Sequence, residues 1–225
     1  MEGWRQALAQ IEYAEHTDVY EFGVFTGKSI KYINDALSHV GKDIRKIFGF
    51  DSFCGLPKET EDERDEVISE VGIYQWREGD FDSQRHFGVS GVDKVVDSVN
   101  SFVRESVPES VDIEWIAGFY SDSLQDNIVK ELDMQPASYV DLDADLYLST
   151  IEALDFMFRN DLIQKGTVIG YDDWGGTPRW NTQEDGASKA HVEMCEKYNV
   201  DMQLLAKMGD SYPHVQTLFL VNSIG

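Results

Sequence analysis

Positive charge is scarce in this chain of 225 residues. It carries 19 lysine and arginine residues against 42 aspartate and glutamate residues, which gives a formal net charge of −23 at pH 7. Such a surface argues strongly against binding nucleic acid or an anionic membrane through a basic patch, because like charges repel. Two explanations of the acidity stay open: solubility, for instance in a salty habitat, or a cationic ligand or metal.

Cysteine and long apolar runs are also scarce. The two cysteines, Cys54 and Cys195, lie far apart and fit no zinc-binding or redox spacing, so we expect reduced thiols in a cytoplasmic protein. No apolar run approaches the length of a membrane span, and the start of the chain lacks the apolar core of a signal peptide. We therefore expect no membrane partner.

Apolar residues, in contrast, are plentiful. Hydrophobic residues make up 42% of the chain and aromatic residues 12%, which is ample for a packed core. The length fits one domain over residues 1–225. The segment 58–82 is acidic and irregular, and we expect it to be a lid or substrate loop inserted into that domain, with an ordinary surface loop as the alternative.

Strand patterns and helix patterns alternate along the chain. Strands are predicted at 19–24, 46–53, 111–117, from 138, from 166, at 202–206 and at 216–221. Helices are predicted at 4–15, 30–40, 90–105, 122–132, from 149 and at 184–198. The predicted caps are Ser121 or Asp122 for the fourth of these helices and Ser149 for the fifth. This order predicts a three-layer α/β fold, with a mostly parallel seven-stranded sheet and helices on both faces.

A glycine turn follows the first predicted strand. Gly23 and Gly27 lead into a helix, with Thr26 or Ser29 as its predicted cap, and strand, glycine turn and helix are the opening of a nucleotide-binding unit. The spacing is neither that of a phosphate-binding P-loop nor Gly-x-Gly-x-x-Gly. A plain strand-to-helix turn therefore stays open as the alternative.

The second predicted strand ends in an acid, Asp51. An acid in that position, roughly 20–30 residues after a glycine turn, commonly binds ribose hydroxyls. The alternative is that Asp51 caps a helix or a turn.

Acids also end the fourth and fifth predicted strands. Asp141, Asp143 and Asp145 alternate, so they share one face of an extended backbone, and Asp172 and Asp173 follow the next strand. Neighbouring parallel strands end at the same edge of a sheet, and ligands bind at that edge. We therefore expect a divalent-metal site there, with Asp141 making a buried hydrogen bond instead of a metal contact.

The five histidines show no metal-ligand spacing. Most are expected to be structural or exposed, and His86 and His191 are the two that could face a pocket.

Several motifs occur together in a recognisable order. They are Glu21-Phe-Gly-Val-x-x-Gly-x-Ser29, Gly49-Phe-Asp-Ser-Phe-x-Gly-Leu-Pro57, Gly118-Phe-x-x-Asp-Ser-Leu124, Asp143-Ala-Asp-Leu-Tyr-x-Ser-Thr150 and Asp172-Asp173. As a set, from about residue 18 to 180, they resemble the macrocin O-methyltransferase family of S-adenosylmethionine-dependent enzymes. The resemblance implies the Rossmann-like fold of class I methyltransferases, and methylation of sugar hydroxyls on antibiotics with the help of magnesium.

The resemblance also implies roles for individual residues. Asp143, Asp172 and Asp173 would be ligands of Mg²⁺, with Mn²⁺ or Ca²⁺ possible, and Asp145 would be the general base. The residues that would hold S-adenosylmethionine are Glu21, Gly23, Gly27 and Asp51, with Ser29, Ser52 and Asp122 as further candidates. Asp122 is equally suited to contact the adenine amine and to cap a helix. Relatives often form dimers or larger assemblies, so a homo-oligomer is a possible partner state.

Two other functions fit parts of the pattern. Asp143-Ala-Asp145 is an Asp-x-Asp motif, which carries Mn²⁺ in glycosyltransferases that use nucleotide sugars. A non-catalytic acidic domain that binds Ca²⁺ is the other alternative, and it leaves Gly23, Gly27 and Asp51 without a purpose. The glycine turn together with Asp172 and Asp173 favours methyl transfer.

Overall fold

Seven strands form one sheet in the computed structural model, which describes residues 5, 8–9, 18–58, 66–69, 72–75, 77–172, 174, 186–208 and 216–225. The strands of this sheet, in chain order, are β1 (Asp18–Phe22), β2 (Lys46–Asp51), β5 (Asp112–Ala117), β6 (Ala137–Leu142), β7 (Val168–Tyr171), β8 (Val200–Met208) and β9 (Gln216–Ile224). The numbers β3 and β4 belong to a separate hairpin, Glu66–Ser69 and Gly72–Gln75. All seven predicted strands are therefore confirmed.

The sheet has the order β5-β2-β1-β6-β7-β9-β8. Its first five strands in that order pair in parallel, and β9 runs antiparallel to both β7 and β8. The chain moves outward from β1 to β2 and β5, and then returns to the other side of β1 with β6. This reversal places a topological switch point at the carboxyl ends of β1 and β6, where open α/β sheets bind their ligands.

Helices cover both faces of the sheet. They are α1 (Lys28–His39), α2 (Ser83–Phe87), α3 (Val92–Arg104), α4 (Tyr120–Ser123), α5 (Asn127–Glu131), α6 (Tyr147–Arg159) and α7 (Gly186–Tyr198). No helix within the described ranges is both long and apolar enough to cross a membrane. Of the helix predicted at 4–15, Arg5 and Leu8 are described as helical, and Leu8 is fully buried.

Alternation along the strands divides the core into two layers. In β1, Tyr20 and Phe22 pack on one face, in a cluster that includes Phe156 of α6, whereas Val19 packs on the other face with Ile33 of α1. Successive side chains of a strand point to opposite faces, so each central strand supplies both layers. Glu21 falls on the face of Val19 and is buried.

Four details of the helices differ from the sequence predictions. Gly27, in a left-handed conformation, precedes α1, and neither Thr26 nor Ser29 caps it. Leu146 precedes α6, so the predicted cap at Ser149 is wrong. The helix predicted at 122–132 is divided into α4 and α5, and no side chain caps α4, so the predicted caps Ser121 and Asp122 are also wrong.

The acidic segment 58–82 was expected to be irregular, but it contains the β3–β4 hairpin. Its two ends are fastened to each other. The Leu56 amide donates to the Asp80 carbonyl at 2.9 Å, and the Gly79 amide donates to the Leu56 carbonyl at 3.0 Å. Because a Cβ on Gly55 would come within 2.7 Å of the Asp80 carbonyl oxygen, only glycine lets these two stretches approach so closely.

The two glycines of the first turn allow neighbouring protein to pack against it. Gly23 has φ +92°, and a Cβ there would come within 1.9 Å of the Asp143 carbonyl oxygen. Gly27 has φ +77°, and a Cβ there would come within 2.4 Å of the Val103 side chain on α3. Both positions therefore require glycine for the fold itself, because of their left-handed backbone and because of the space available.

We predict that Gly23→Ala destabilises the fold more than Gly41→Ala does. Gly41 has φ +75°, and a Cβ there would meet no atom within 4 Å, so alanine should cost only about 1–2 kcal/mol of backbone strain. At Gly23 the clash with Asp143 should add roughly 1–3 kcal/mol. Urea unfolding of both variants measures the difference, and equal losses would show that the close approach is relaxed at little cost.

Candidate active site

Acids and glycines form one row across the middle of the sheet. Glu21 of β1 pairs in register with Gly49 of β2 and with Asp141 of β6, and Asp141 pairs with Gly170 of β7. A Cβ on Gly170 would come within 2.2 Å of the Tyr139 hydroxyl and 3.0 Å of Asp141 Oδ1. The missing side chain of Gly170 therefore leaves space for the Tyr139 hydroxyl and for the Asp141 carboxyl beside it.

Glu21 is completely buried and incompletely hydrogen-bonded. Its Oε1 accepts a hydrogen bond from Ser29 Oγ at 2.5 Å, while Oε2 has no partner among the described residues. Burial raises the pKa of Glu21 well above its ordinary value, the charges of Asp141, Asp51 and Asp172 raise it further, and the Ser29 hydrogen bond lowers it. A buried carboxylate with one unsatisfied oxygen is a place where a cationic group is stabilised.

Asp141 makes the buried hydrogen bond that the sequence led us to expect. Its Oδ1 accepts from the Tyr139 hydroxyl at 3.2 Å, and the residue is 3% exposed. Burial, and then the charge of Asp172, raise the pKa of Asp141 to about 8. Neighbouring strands thus bring three carboxyls, those of Glu21, Asp141 and Asp172, within electrostatic reach of one another.

Asp51 holds the glycine turn. Its Oδ2 accepts from the amides of Val24 at 2.8 Å and Phe25 at 2.7 Å, and its Oδ1 accepts from the amide of Phe53 at 2.6 Å. Burial raises the pKa of Asp51, and these three hydrogen bonds lower it. The alternative in which Asp51 caps a turn is therefore correct, and its contact with a ribose stays a prediction.

Ser52 and Asp122 lie in the turns beyond β2 and β5. Ser52 Oγ donates to the Gly55 carbonyl at 2.6 Å and accepts from the Cys54 amide at 3.2 Å, so this hydroxyl orders the turn after β2. Asp122 is exposed in α4 and caps nothing. The structure thus removes one of its two expected roles, and contact with the cofactor stays a prediction for both residues.

The expected metal ligands stand at the ends of two paired strands. The last pair in register between β6 and β7 is Leu142 with Tyr171, so Asp143 and Asp172 follow it directly, and the Asp172 amide donates to the Leu142 carbonyl at 3.2 Å. Asp172 Oδ1 also accepts from Gln216 Nε2 at 2.6 Å. Asp173 lies outside the described residues.

The carboxylate donor set fits a hard divalent cation, but the described residues hold only part of it. Among them no group of three or more acidic, histidine or cysteine side chains stands close enough to bind a metal. Asp145, the expected base, has φ +57°. That left-handed conformation is tolerated best by glycine, asparagine and aspartate, and it turns the chain between β6 and α6.

Tyr120 and Gln216 belong to this site and were not predicted. Tyr120 is half-buried at the start of α4, directly after β5, with its ring edge-on to Phe22. Burial raises the pKa of Tyr120, followed in order of strength by the charges of Asp51, Asp143, Asp145 and Glu21. The only feature of the sequence that pointed to Tyr120 was its position inside the motif 118–124. No feature pointed to Gln216, because it is 44 residues from Asp172, the acid that it contacts.

His191 lies in a buried aromatic cluster beside the end of β7. Its Nδ1 is 2.9 Å from the Tyr171 hydroxyl, and its ring centroid is 4.8 Å from that of Trp174 and 4.4 Å from that of Phe219. Burial lowers the pKa of His191 to about 4. The ring therefore supports the turn that begins at Asp172 as a neutral packing group.

His86 packs on the glycine turn from the side of the insertion. The His86 ring centroid is 5.1 Å from that of Phe25, and the Phe81 ring centroid is 5.9 Å from that of Phe25. Ser83 Oγ donates to the Phe25 carbonyl at 3.0 Å. The last residues of the segment 58–82 and the start of α2 are thus joined to the turn expected to bind the cofactor.

Comparisons with known proteins agree with this geometry. A family model described as macrocin O-methyltransferase (TylF) matches residues 1–185. The calicheamicin methyltransferase CalS11 is similar in structure, with a TM-score of 0.60 and 15% identity over 97% of this chain and 76% of that one. The O-methyltransferase NovP has a TM-score of 0.60 and 17% identity over 99% and 78%. No curated protein sequence matches the chain.

These similarities confirm the predicted fold class. At identities of 15% and 17%, the two structures establish a shared three-layer fold and nothing finer. The family match favours methyl transfer over the glycosyltransferase and calcium-binding alternatives.

We predict that His191 makes stability depend on pH below neutrality. Its pKa is about 4 in the folded chain, against an ordinary value of 6.5, so the unfolded chain binds the extra proton between these pH values. The stability that neutral His191 contributes is fully present above pH 6.5 and is lost as the pH falls toward 4. The free energy of unfolding should therefore fall by roughly 2 kcal/mol between pH 7 and pH 5.

Urea unfolding of wild type and His191→Gln at both pH values measures this contribution. The gap in unfolding free energy between the two proteins should narrow by about 2 kcal/mol from pH 7 to pH 5. His39→Gln, at the exposed end of α1, is the control for the loss of one histidine. A gap of the same size at pH 7 and pH 5 would contradict the prediction.

Proposed function

The chain belongs to the macrocin O-methyltransferase family and is an S-adenosylmethionine-dependent O-methyltransferase; we propose that it requires a divalent metal and methylates a hydroxyl of a sugar or another diol-containing small molecule. The observation that carries this proposal is the adjacency of Asp143 and Asp172 at the ends of β6 and β7. These two carboxylates stand at the switch point of the sheet, where a ligand of such a fold binds.

The proposed metal ligands are Asp143, Asp172 and Asp173. Carboxylate oxygens are hard donors that suit Mg²⁺, Mn²⁺ or Ca²⁺. Two buried acids near them, Glu21 and Asp141, support a positive charge at this edge, and Glu21 Oε2 has no partner among the described residues. When bound, the metal would favour ionisation of a coordinated acceptor hydroxyl, as metals do for bound water.

A diol is the acceptor that matches this ligand set. Three carboxylates leave coordination positions on a six-coordinate ion for two further oxygens. Adjacent hydroxyls of a sugar or of a phenolic diol supply two oxygens at a suitable separation. The proposal includes a role in natural-product biosynthesis, which the match to the macrocin O-methyltransferase family supports.

Asp145 is the proposed general base. In the transfer, the acceptor oxygen forms a bond to the methyl carbon of S-adenosylmethionine as the carbon–sulfur bond breaks. The electron pair of that bond stays on sulfur, and the hydroxyl proton passes to the Asp145 carboxylate. Two observations support this role: Asp145 follows Asp143 by only two residues, and it lies in a left-handed turn directly after β6.

The proposed cofactor contacts surround the end of β1. Glu21 and Ser29 are joined by a hydrogen bond beneath the turn of Gly23 and Gly27, and Asp51 holds that turn from β2. The unpartnered Oε2 of Glu21 suits a positively charged group of S-adenosylmethionine. The proposal includes Ser52 and Asp122 as contacts on the nucleoside side.

A cytoplasmic location is part of the proposal. It is supported by Cys54 and Cys195, which are both free thiols, as expected in a reducing compartment. A small-molecule acceptor and the net charge of −23 favour a protein without a nucleic-acid partner.

We predict that methyl transfer requires a metal held by Asp143. A pool of sugars and phenolic diols with labelled S-adenosylmethionine should yield labelled product, a chelator should abolish it, and Mg²⁺ should restore it. Asp143→Asn should lower turnover on the order of 10²-fold or more, because the site loses one anionic ligand. Affinity for S-adenosylhomocysteine, measured by calorimetry, should change less than about 3-fold.

Asp97→Asn is the control for this experiment, since it makes the same substitution at an exposed position on α3. Its turnover should equal that of the wild type. Full activity in the presence of chelator would refute the metal requirement, and labelling of isolated hydroxyls alone would refute the diol.

We predict that Asp145→Asn lowers the rate about 10²–10⁴-fold while the Mg²⁺ requirement persists, because the variant lacks the proton acceptor. Asparagine tolerates the left-handed conformation, so the turn is retained. Asp161→Asn makes the same change at an exposed residue with φ +56° and should be neutral. Single-turnover rates at saturating acceptor provide the measurement, and an unchanged rate would remove the base assignment.

A further inference from the structure

Four acids lie near Tyr120 at the ends of β1, β2 and β6. The charges of Asp51, Asp143, Asp145 and Glu21 raise the pKa of Tyr120, and an ionised carboxylate can only accept hydrogen bonds. A ligand hydroxyl both donates and accepts a hydrogen bond, so carboxylates alone can pair only with its donor. The Tyr120 hydroxyl, protonated at neutral pH as phenols are, is a donor among these acids.

The core fixes the ring of Tyr120. Its centroid is 5.7 Å from that of Phe22, with an angle of 89° between the planes, and Phe22 in turn stacks on Phe50 at 4.7 Å. The carbonyl of Tyr120 accepts from the Leu124 amide at 3.0 Å, which closes the turn of α4. These contacts fix the orientation of the Tyr120 ring and therefore the position of its hydroxyl.

The hydroxyl itself makes no hydrogen bond with any residue in the described ranges. It is also not one of the buried unpaired side-chain atoms among those residues, so a ligand can reach it from solvent at this edge of the sheet. A donor that is held by its ring, open to solvent and close to several acceptors is suited to a ligand hydroxyl.

Asp51 identifies which part of a ligand would lie there. Asp51 pairs in register with Ala117 at the end of β5, three residues before Tyr120, and the Asp51 carbonyl accepts a hydrogen bond from the Gly118 amide at 3.0 Å. Two amides already donate to its Oδ2 and one to its Oδ1. A carboxylate offers about four acceptor positions, so one position on Oδ1 remains for a further donor.

We infer that Tyr120 binds the cofactor, donating a hydrogen bond to a ribose hydroxyl whose own proton is donated to Asp51. The inference rests on the proposed cofactor site. The ribose hydroxyl then donates one hydrogen bond to Asp51 and accepts one from Tyr120. Tyr120 thus contributes to recognition of the nucleoside and takes no part in proton transfer.

Tyr120→Phe tests this inference, since it removes one oxygen and keeps the ring against Phe22. We expect the Kd of S-adenosylhomocysteine, measured by calorimetry, to rise roughly 3–10-fold, as for one lost hydrogen bond. The KM of the methyl acceptor should not change. Tyr198→Phe is the matched control, because the Tyr198 hydroxyl bonds Asp155, away from the site, and its loss should leave the Kd unchanged.

Analogues of S-adenosylhomocysteine that lack the 2′ or the 3′ hydroxyl separate direct contact from a structural effect. The wild type should lose affinity for one of them, and Tyr120→Phe should lose several-fold less, because the donor is already absent. Equal losses in both proteins for both analogues, or a change confined to the acceptor KM, would overturn the inference alone. Failure of the wild type to bind S-adenosylhomocysteine would overturn the proposed function as well.

Discussion

Two carboxyls buried side by side in the central strands are the constraint on which the site depends. Glu21 and Asp141 are in register in β1 and β6, and burial is the largest influence on the pKa of each. Such a pair is stable only if protons, hydrogen bonds or a cation balance its charge. Glycines at the flanking positions, Gly49 and Gly170, leave room for the Trp115 ring and for the Tyr139 hydroxyl.

The same row of residues joins the proposed cofactor site to the proposed metal site. Glu21 accepts a hydrogen bond from Ser29 at the start of α1, while the charge of Asp172, directly after β7, raises the pKa of Asp141. A cation bound near Asp172 would therefore alter the electrostatic environment of the acid beneath the glycine turn. If the proposed metal binds there, its occupancy would be coupled through charge to that of the proposed cofactor site.

Periodicity was sufficient to predict the sheet and failed where contacts between distant residues decide. The seven strands and most helices follow from alternation and from the 3.6-residue repeat, which are local properties. The predicted cap of α1 was wrong because Gly27, packed against Val103, leads into the helix in a left-handed conformation, and that of α6 was wrong because the helix begins two residues before Ser149. The packing of Tyr120 on Phe22 could not be predicted from sequence, because the two residues are far apart along the chain. Asp51 was predicted as a site residue, but its hydrogen bonds to the glycine turn could not be predicted, because they come from amides 26 and 27 residues away.

The paired ends of the segment 58–82 have a consequence for how relatives can differ. Leu56 and Asp80 close the stem, so the chain between them begins and ends at one fixed point of the scaffold. Closing a flexible loop costs only about 0.6 kcal/mol more for each doubling of its length. A change in the length of the segment distal to this stem should therefore cost little stability and leave the ends of the strands where they are.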